Sequence, residues 1–483
     1  MRAPFIRHVV STFGFSIVQQ FVGLGRHVLI AAYFGLSRPF DGYLVVYSMA
    51  SLIVFNLSSV FDTVAVSRLV QIRDGNGEDA FWRNSDRLLL QSLVGGLLFS
   101  AGLIAVLYLA LPIIAAGFTG DERQAVLDLA RYFIPWIVII IPYYAVSAHL
   151  KALWQFHWVF GAEILVMLVS IAVLWRWHDS VASLPVAYGA GYGCAFLALL
   201  YRRGLLRPGQ ASPPVPLLGS MANQHLANQI GIAASLVDRY FQSYLVPGGI
   251  SALGYVGQIV NNLSSLMTFR EIYVVPLATE LGRREKLERI LTGVVLISVP
   301  CTGFLVTFSE PLIRILFQRG QFTAEDARLT GDLLRILALA LVISSLLAPM
   351  ERLFQILNRI SYSQVRYLVS LLGTAAFQYL FVFRLGWDVR GIAWAGLANS
   401  ALVALVVAAL VRRCGIVIRW HRIFAYVLFA AVVSGIAAYA AAFAAASFTG
   451  LAELIIAGAT YAAILAAGFL TIRRRLQAIA GVS

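Results

Sequence analysis

The residues of this sequence able to do chemistry are the ionisable ones set within long apolar stretches: Arg26, Asp41, Asp62, Asp238, Arg239, Arg270 and Glu271. In hydrocarbon each is costly unless it faces water or a partner, so each is read first as a binding group. Arg26 offers a planar guanidinium, the fork that grips phosphate or carboxylate with two parallel hydrogen bonds. It stands about 15 Å from the far end of its helix, at about 1.5 Å per residue. Two readings are open for it: a contact to an anionic ligand, or a structural arginine that pairs with Asp41 or reaches outward. Asp238 and Arg239 lie at a corresponding depth further along the chain. Either they neutralise each other across neighbouring helices, or Asp238 binds a driving proton or Na⁺ with Gln378 and Asn399 as oxygen partners. Arg270 and Glu271 are adjacent, about 100° apart around a helix, so each needs a partner of its own. Asp62 has no obvious partner in the sequence, and Arg68 is placed to reach the headgroups.

Other chemistries are excluded by the same inspection. His27, His149 and His157 show no ligand spacing, and Cys194, Cys301 and Cys414 are far apart, so neither a metal site nor a disulfide framework is read, and no cofactor is called for. The phosphate-cradling GxxxxGK[ST] pattern is missing. The acids are scattered rather than clustered, which argues against a membrane glycosyltransferase.

The elements that position these groups follow from composition. Of 483 residues, 60% are hydrophobic and only 12% charged, too little charge to coat a soluble protein of this size. Apolar runs of about 20 residues, the length that spans a bilayer core, recur along the whole chain. They fall near 8–35, 40–67, 88–117, 125–150, 156–175, 181–201, 219–246, 250–280, 288–317, 327–357, 361–383, 389–411, 422–447 and 451–472. The first run is longer than the apolar region of a secretion signal, about 7–15 residues, and reads as a span. The net charge of +14 is topological rather than a nucleic-acid footprint. Arg2 and Arg7, Arg73 and Arg83, Lys151, Arg202 and Arg203, Arg283 and Arg284, Arg352 and Arg359, Arg412 and Arg413, and Arg473 to Arg475 gather at the termini and at every second connection. The positive-inside rule makes that set cytoplasmic, with both termini inside and about fourteen spans. Pro135, Pro142 and Pro300 are expected to kink their helices.

An internal repeat divides the chain. Arg26 falls on Arg239, Gly35 on Gly248 and, with one residue of slack, Tyr43 on Tyr255. A second match sets Gly120 on Gly320 and Leu153–Gln155 on Leu353–Gln355. A unit of six helices keeps its orientation when repeated, so the copies are related by an axis along the membrane normal, an arrangement that marks secondary transporters. The expected organisation is an all-α polytopic protein: a lobe over 1–203, a Pro- and Gly-rich linker over 204–218, a second six-helix lobe over 219–413, and a helix pair over 414–483.

At these residues the chain resembles the MurJ/MviN family of lipid II flippases, within the multidrug, oligosaccharidyl-lipid and polysaccharide exporter superfamily. Gly25-Arg26, Gly35 and Asp41 look like the family's opening signature, and Leu236 to Tyr255 is similar to its helix 7–8 signature. Pro311 to Thr330 is similar to its helix 9–10 turn, and Gly391 to Ser400 resembles its helix 12. The likeness covers essentially the whole chain. It implies fourteen helices, two lobes around a central cavity, no catalysis, and transfer of an undecaprenyl-diphosphate-linked saccharide out of the cytoplasmic leaflet of a bacterial inner membrane. Membrane lipids and the proteins of polysaccharide or peptidoglycan synthesis are the partners it implies. Arg26 keeps one of the cavity arginines it implies, and Asp41, Gln20, Gln258, Arg239 and Arg270 are the further cavity candidates. One reading has Arg270 supply the charge missing at Gln258, against which twelve residues of helix turn it about 120° onto another face. At other arginine positions of the family pattern stand Gln20, Val54 and Gln258, whose side chains supply neither the charge nor the fork of arginine. That departure leaves the saccharide open between lipid II and an exopolysaccharide unit. A drug or cation antiporter of the same superfamily and a non-transporting scaffold are the alternatives.

Overall fold

A computed structural model describes residues 2–204, 229–267, 283–357, 359–448 and 450–480. Arg270, Glu271 and nearly all of the linker lie outside them, as do the side chain of Asp62 and those of residues 1–13. Every regular element among the described residues is helical, as lipid requires of a chain that must satisfy its own backbone hydrogen bonds. Ten of the described helices are long and apolar enough to cross a membrane.

The chain forms two compact units, residues 1–251 and 252–483. The first begins with α1 (Arg2–Phe34) and α2 (Arg38–Val60). A π-helical turn over Phe61–Ala65 then leads into α3 (Val66–Ile114). The sequence places a connection between spans over 68–87; the structure makes it helical, interrupted at Gly77, whose φ of +82° breaks the run. α4 (Gly120–Leu129) passes through a 3₁₀ turn into α5 (Ile134–Ala152), where Pro135 occupies the first turn, a position that needs no N–H donor. α6 (Phe156–Arg176), α7 (Ser183–Arg203), α8 (Gln229–Gln242) and the first residues of α9 (Gly249–Met267) complete the unit. A buried network joins three of these helices: Arg203 on α7 pairs with Asp86 and donates to Ser85 Oγ at 3.2 Å, both on α3. Ser85 Oγ in turn lies 2.6 Å from His149 Nδ1 on α5.

The second unit holds α10 (Arg283–Thr307), α11 (Ser309–Phe317), α12 (Ala324–Ile356), α13 (Ile360–Gln378), α14 (Asp388–Arg413), α15 (Trp420–Ala445) and α16 (Leu451–Ala480). The single span read over 288–317 is two helices, because Pro311 near the start of α11 cannot continue the α10 hydrogen-bond ladder. Leu291, Val295, Leu353, Phe354, Val407 and Ile423 form the core in which α10, α12, α14 and α15 meet. α15 and α16 pack through Ala437, Ala441 and Ala457. Small residues let helix backbones approach where lipid offers no hydrophobic drive. Tyr461 on α16 bonds with Ser434 on α15 and donates to the Pro300 carbonyl of α10 at 2.7 Å. At the other end of α10, Glu288 accepts from Arg419 Nη2 at 2.6 Å and from Nε and the Arg419 backbone N–H. Hydrogen bonding to Glu288 raises the Arg419 guanidinium above its ordinary pKa.

The four repeat glycines have left-handed backbones: φ is +52° at Gly35, +85° at Gly248, +54° at Gly120 and +59° at Gly320. That conformation costs any other residue, and at Gly248 a Cβ would also come within 2.8 Å of Leu36 Cβ. The LWQ/LFQ match does not extend to conformation. Leu153–Gln155 forms the turn after α5, with Trp154 at φ +61°, whereas Leu353–Gln355 lies inside α12.

Candidate functional site

Arg26 is 7% exposed on α1. Its guanidinium carbon lies 4.7 Å from the ring centroid of Tyr188 on α7. Tyr188 Oη donates to Tyr47 Oη on α2 at 3.3 Å. The Tyr47 ring stacks on Trp136 of α5 at 5.8 Å and on Tyr43 at 5.6 Å, and Trp136 meets Tyr188 at 5.2 Å. Three helices thus contribute rings to one aromatic cluster, and its Tyr188 ring lies beside the cation. A cation over a ring gains about 1–2 kcal/mol, well short of the several kcal/mol that burying an ion costs. Among the described residues no carboxylate pairs with Arg26, and its Nε has no hydrogen-bond partner. The arrangement holds a positive charge in place over the Tyr188 ring with no carboxylate partner among the described residues.

Asp41, read as a cavity residue and as a possible partner of Arg26, does different work. It is fully buried, and its Oδ2 accepts the Gly248 N–H at 2.6 Å. Oδ1 accepts the Ser251 N–H at 2.8 Å and the Ser251 hydroxyl at 2.6 Å. A carboxylate there satisfies orphan N–H groups and the positive end of the helix dipole at the start of α9. Beside it Arg38, three residues earlier, pairs with Glu122 at 3.0 Å and donates to the carbonyls of Leu245 and Gly117 at 3.1 and 3.3 Å.

Asp238 and Arg239 are joined through one neighbour on their own helix. Gln242 Nε2 donates to Asp238 at 2.8 Å, and Gln242 Oε1 accepts from Arg239. Gln378 is buried at the end of α13, and Asn399 on α14 donates to Thr374 Oγ1 at 3.0 Å and to the Ser370 carbonyl at 3.3 Å. These two lie in the second unit and Asp238 in the first. Gln258 donates to Asn262 at 3.0 Å, one turn along α9, and Gln20 is half-buried on α1.

The aromatic walls and Glu163 escaped the sequence reading. Glu163 on α6 accepts from Tyr143 Oη at 3.0 Å. A signal was available: Tyr43 with Tyr47 and Tyr188 with Tyr192 are spaced i,i+4, which stacks two rings on one helix face.

The fold and site define a helical, many-span membrane protein that lodges a buried cation among aromatic rings. Among solved structures, its fold matches "Lipid II flippase MurJ, inward closed conformation" with a TM-score of 0.78 at 17% identity, covering 97% of this chain and 100% of that one. It also matches an inward-facing multidrug resistance MATE family transporter of the MOP superfamily, with a TM-score of 0.65 at 15% identity, covering 84% and 95%. In sequence it is similar to the probable lipid II flippase MurJ of Aquifex aeolicus, 21% identical over 414 residues, 80% of this chain and 79% of the relative. It is also similar to that of Rhizobium tropici, 25% identical over 381 residues, 70% and 68%. The model of the family "Lipid II flippase MurJ" matches residues 30–458, and the chain belongs to that family.

Proposed function

We propose that this chain carries a polyprenyl-diphosphate-linked saccharide, lipid II foremost, from the inner to the outer leaflet of the bacterial cytoplasmic membrane by alternating access. The observation that supports the reading is Arg26: a buried guanidinium with an aromatic bed and no carboxylate among the described residues suits a diphosphate. The rocking bodies of this cycle are the lobes 1–203 and 219–413, joined by the linker 204–218, with both termini cytoplasmic. The polyprenyl tail stays in lipid along the helix pair of 414–483 while the head crosses. The membrane potential acting on a charged head drives the cycle, or an ion bound at Asp238 does.

A second reading, an exopolysaccharide repeat unit as cargo, is favoured by Gln20, Val54 and Gln258 at places where the family resemblance implies arginines. Gln258 moreover spends its amide on Asn262. Depleting the protein and identifying the lipid-linked intermediate that collects in the inner leaflet separates the two. Lipid II supports the first reading and a longer oligosaccharide the second; accumulation of neither contradicts both.

A further inference from the structure

Unit 1 carries a second ionisable group inside a span that the transport reading leaves without a task. Glu163 lies seven residues into α6, from 156 to 163, about 10 Å along the axis at about 1.5 Å per residue. It is half-buried, and the Tyr143 hydroxyl donates to its Oε1 at 3.0 Å. α6 packs against α1, α5 and α7. From α5 the titratable groups on this side are Tyr143 and Tyr144. From α7 they are Tyr188 and Tyr192, the latter within electrostatic reach of Glu163. From α1 the described ones are Arg26, His27 and Tyr33. The Tyr143 ring meets Tyr192 edge-on at 5.1 Å, Tyr192 stacks with Trp136 at 6.1 Å, and Trp136 meets Tyr188, the ring beneath Arg26, at 5.2 Å. A carboxyl and a guanidinium therefore stand at opposite ends of one continuous aromatic cluster.

We infer that Glu163 is a proton-binding site whose occupancy is linked to anion binding at Arg26. The inference rests on the reading of Arg26 as the anion contact. The step is a bare protonation: the carboxylate takes a proton from water and becomes a neutral acid, and it returns that proton to water. No other bond changes, since the Tyr143 hydroxyl still donates, more weakly, to the carbonyl oxygen of the acid. Ionised, Glu163 offsets part of the Arg26 field across a medium of low dielectric; protonated, it leaves that field whole. An anion therefore binds more tightly when Glu163 carries its proton, and by reciprocity the bound anion draws a proton onto Glu163.

The test uses the full chain in lipid nanodiscs, with farnesyl diphosphate as probe and its affinity measured from about pH 6 to about pH 9. The wild type loses roughly tenfold in affinity beyond what the diphosphate's own titration accounts for, a coupling of ordinary size. Glu163→Gln, which has the same shape and still accepts the Tyr143 hydroxyl, keeps the tight affinity throughout. Identical pH profiles for the two proteins overturn the inference. Infrared difference spectra without the probe give an independent reading. A protonated-carboxyl band that titrates in the wild type, disappears in Glu163→Gln and shifts in Tyr143→Phe supports the site, whereas spectra unchanged by Glu163→Gln overturn it. A probe that fails to bind the wild type counts against the reading of Arg26, and the infrared titration still decides the case of Glu163.

Discussion

Arg26 on α1 and Arg239 on α8 stand at matching positions of the internal repeat, each nine residues before a left-handed glycine, 26 to 35 and 239 to 248. Around Arg239 the chain supplies its own compensation. Gln242 accepts from the guanidinium and donates to Asp238, so a cation and an acid on one helix share one amide. Around Arg26 it supplies Tyr188, with Tyr47, Tyr43 and Trp136 behind it, and no carboxylate among the described residues. The acid that sequence alone offered as its partner, Asp41, is held instead by Gly248 and Ser251. The same residue type at the same repeat position is settled internally in one copy and left open in the other. An uncompensated buried charge is a standing cost to stability, one that a bound anion would remove under the proposed function.

The comparison can be broken most forcefully at Arg26. Arg26→Ala should lower lipid II transfer in proteoliposomes by about a hundredfold or more, and Arg26→Lys should recover only a small part, because an ammonium lacks the bidentate fork. Thermal unfolding of Arg26→Ala should be unchanged or slightly raised, since the substitution removes a buried charge that the Tyr188 ring compensates only in part and no described carboxylate pairs. A large loss of stability would make Arg26 a structural residue. Asp41→Ala should have the opposite profile, losing about 3 kcal/mol as three hydrogen bonds to a buried carboxylate disappear, read as a fall in unfolding temperature. Arg239→Gln comes next: stability should fall by about 1–2 kcal/mol as the amide bridge to Asp238 is disturbed, and transfer per folded molecule should stay near that of the wild type. Smallest is Tyr461→Phe, about 1 kcal/mol, which removes the hydroxyl that links α16 to Ser434 and the Pro300 carbonyl while the ring stays packed.

Much of the fold was legible in the sequence because lipid imposes a single demand, apolar runs of spanning length, and composition reports it directly. The repeat was legible through glycines, since Gly35 and Gly248, and likewise Gly120 and Gly320, adopt a backbone that other residues avoid. What failed to show was local. The break between α10 and α11 lies inside an apolar run, and only Pro311 marks it. The helical course over 68–87 is polar and reads as a loop. At the site, the charged residues stood out against an apolar background, but their partners did not. Whether Asp41 faces Arg26 or the start of α9 depends on tertiary packing that no spacing encodes. The ring cluster was hidden because aromatic residues on spans ordinarily face lipid or pack as core. Glu163 went unnoticed for a related reason: its partner Tyr143 comes from another helix, so no local pattern joins them.

The most direct measurement of the central claim is equilibrium binding of undecaprenyl diphosphate to the full chain in nanodiscs, compared among wild type, Arg26→Gln and Arg239→Gln. If Arg26 is the open charge and Arg239 the settled one, Arg26→Gln weakens binding at least tenfold, about 1.4 kcal/mol, and Arg239→Gln changes it by less than about twofold. Equal losses in the two variants, or a loss confined to Arg239→Gln, would contradict the account.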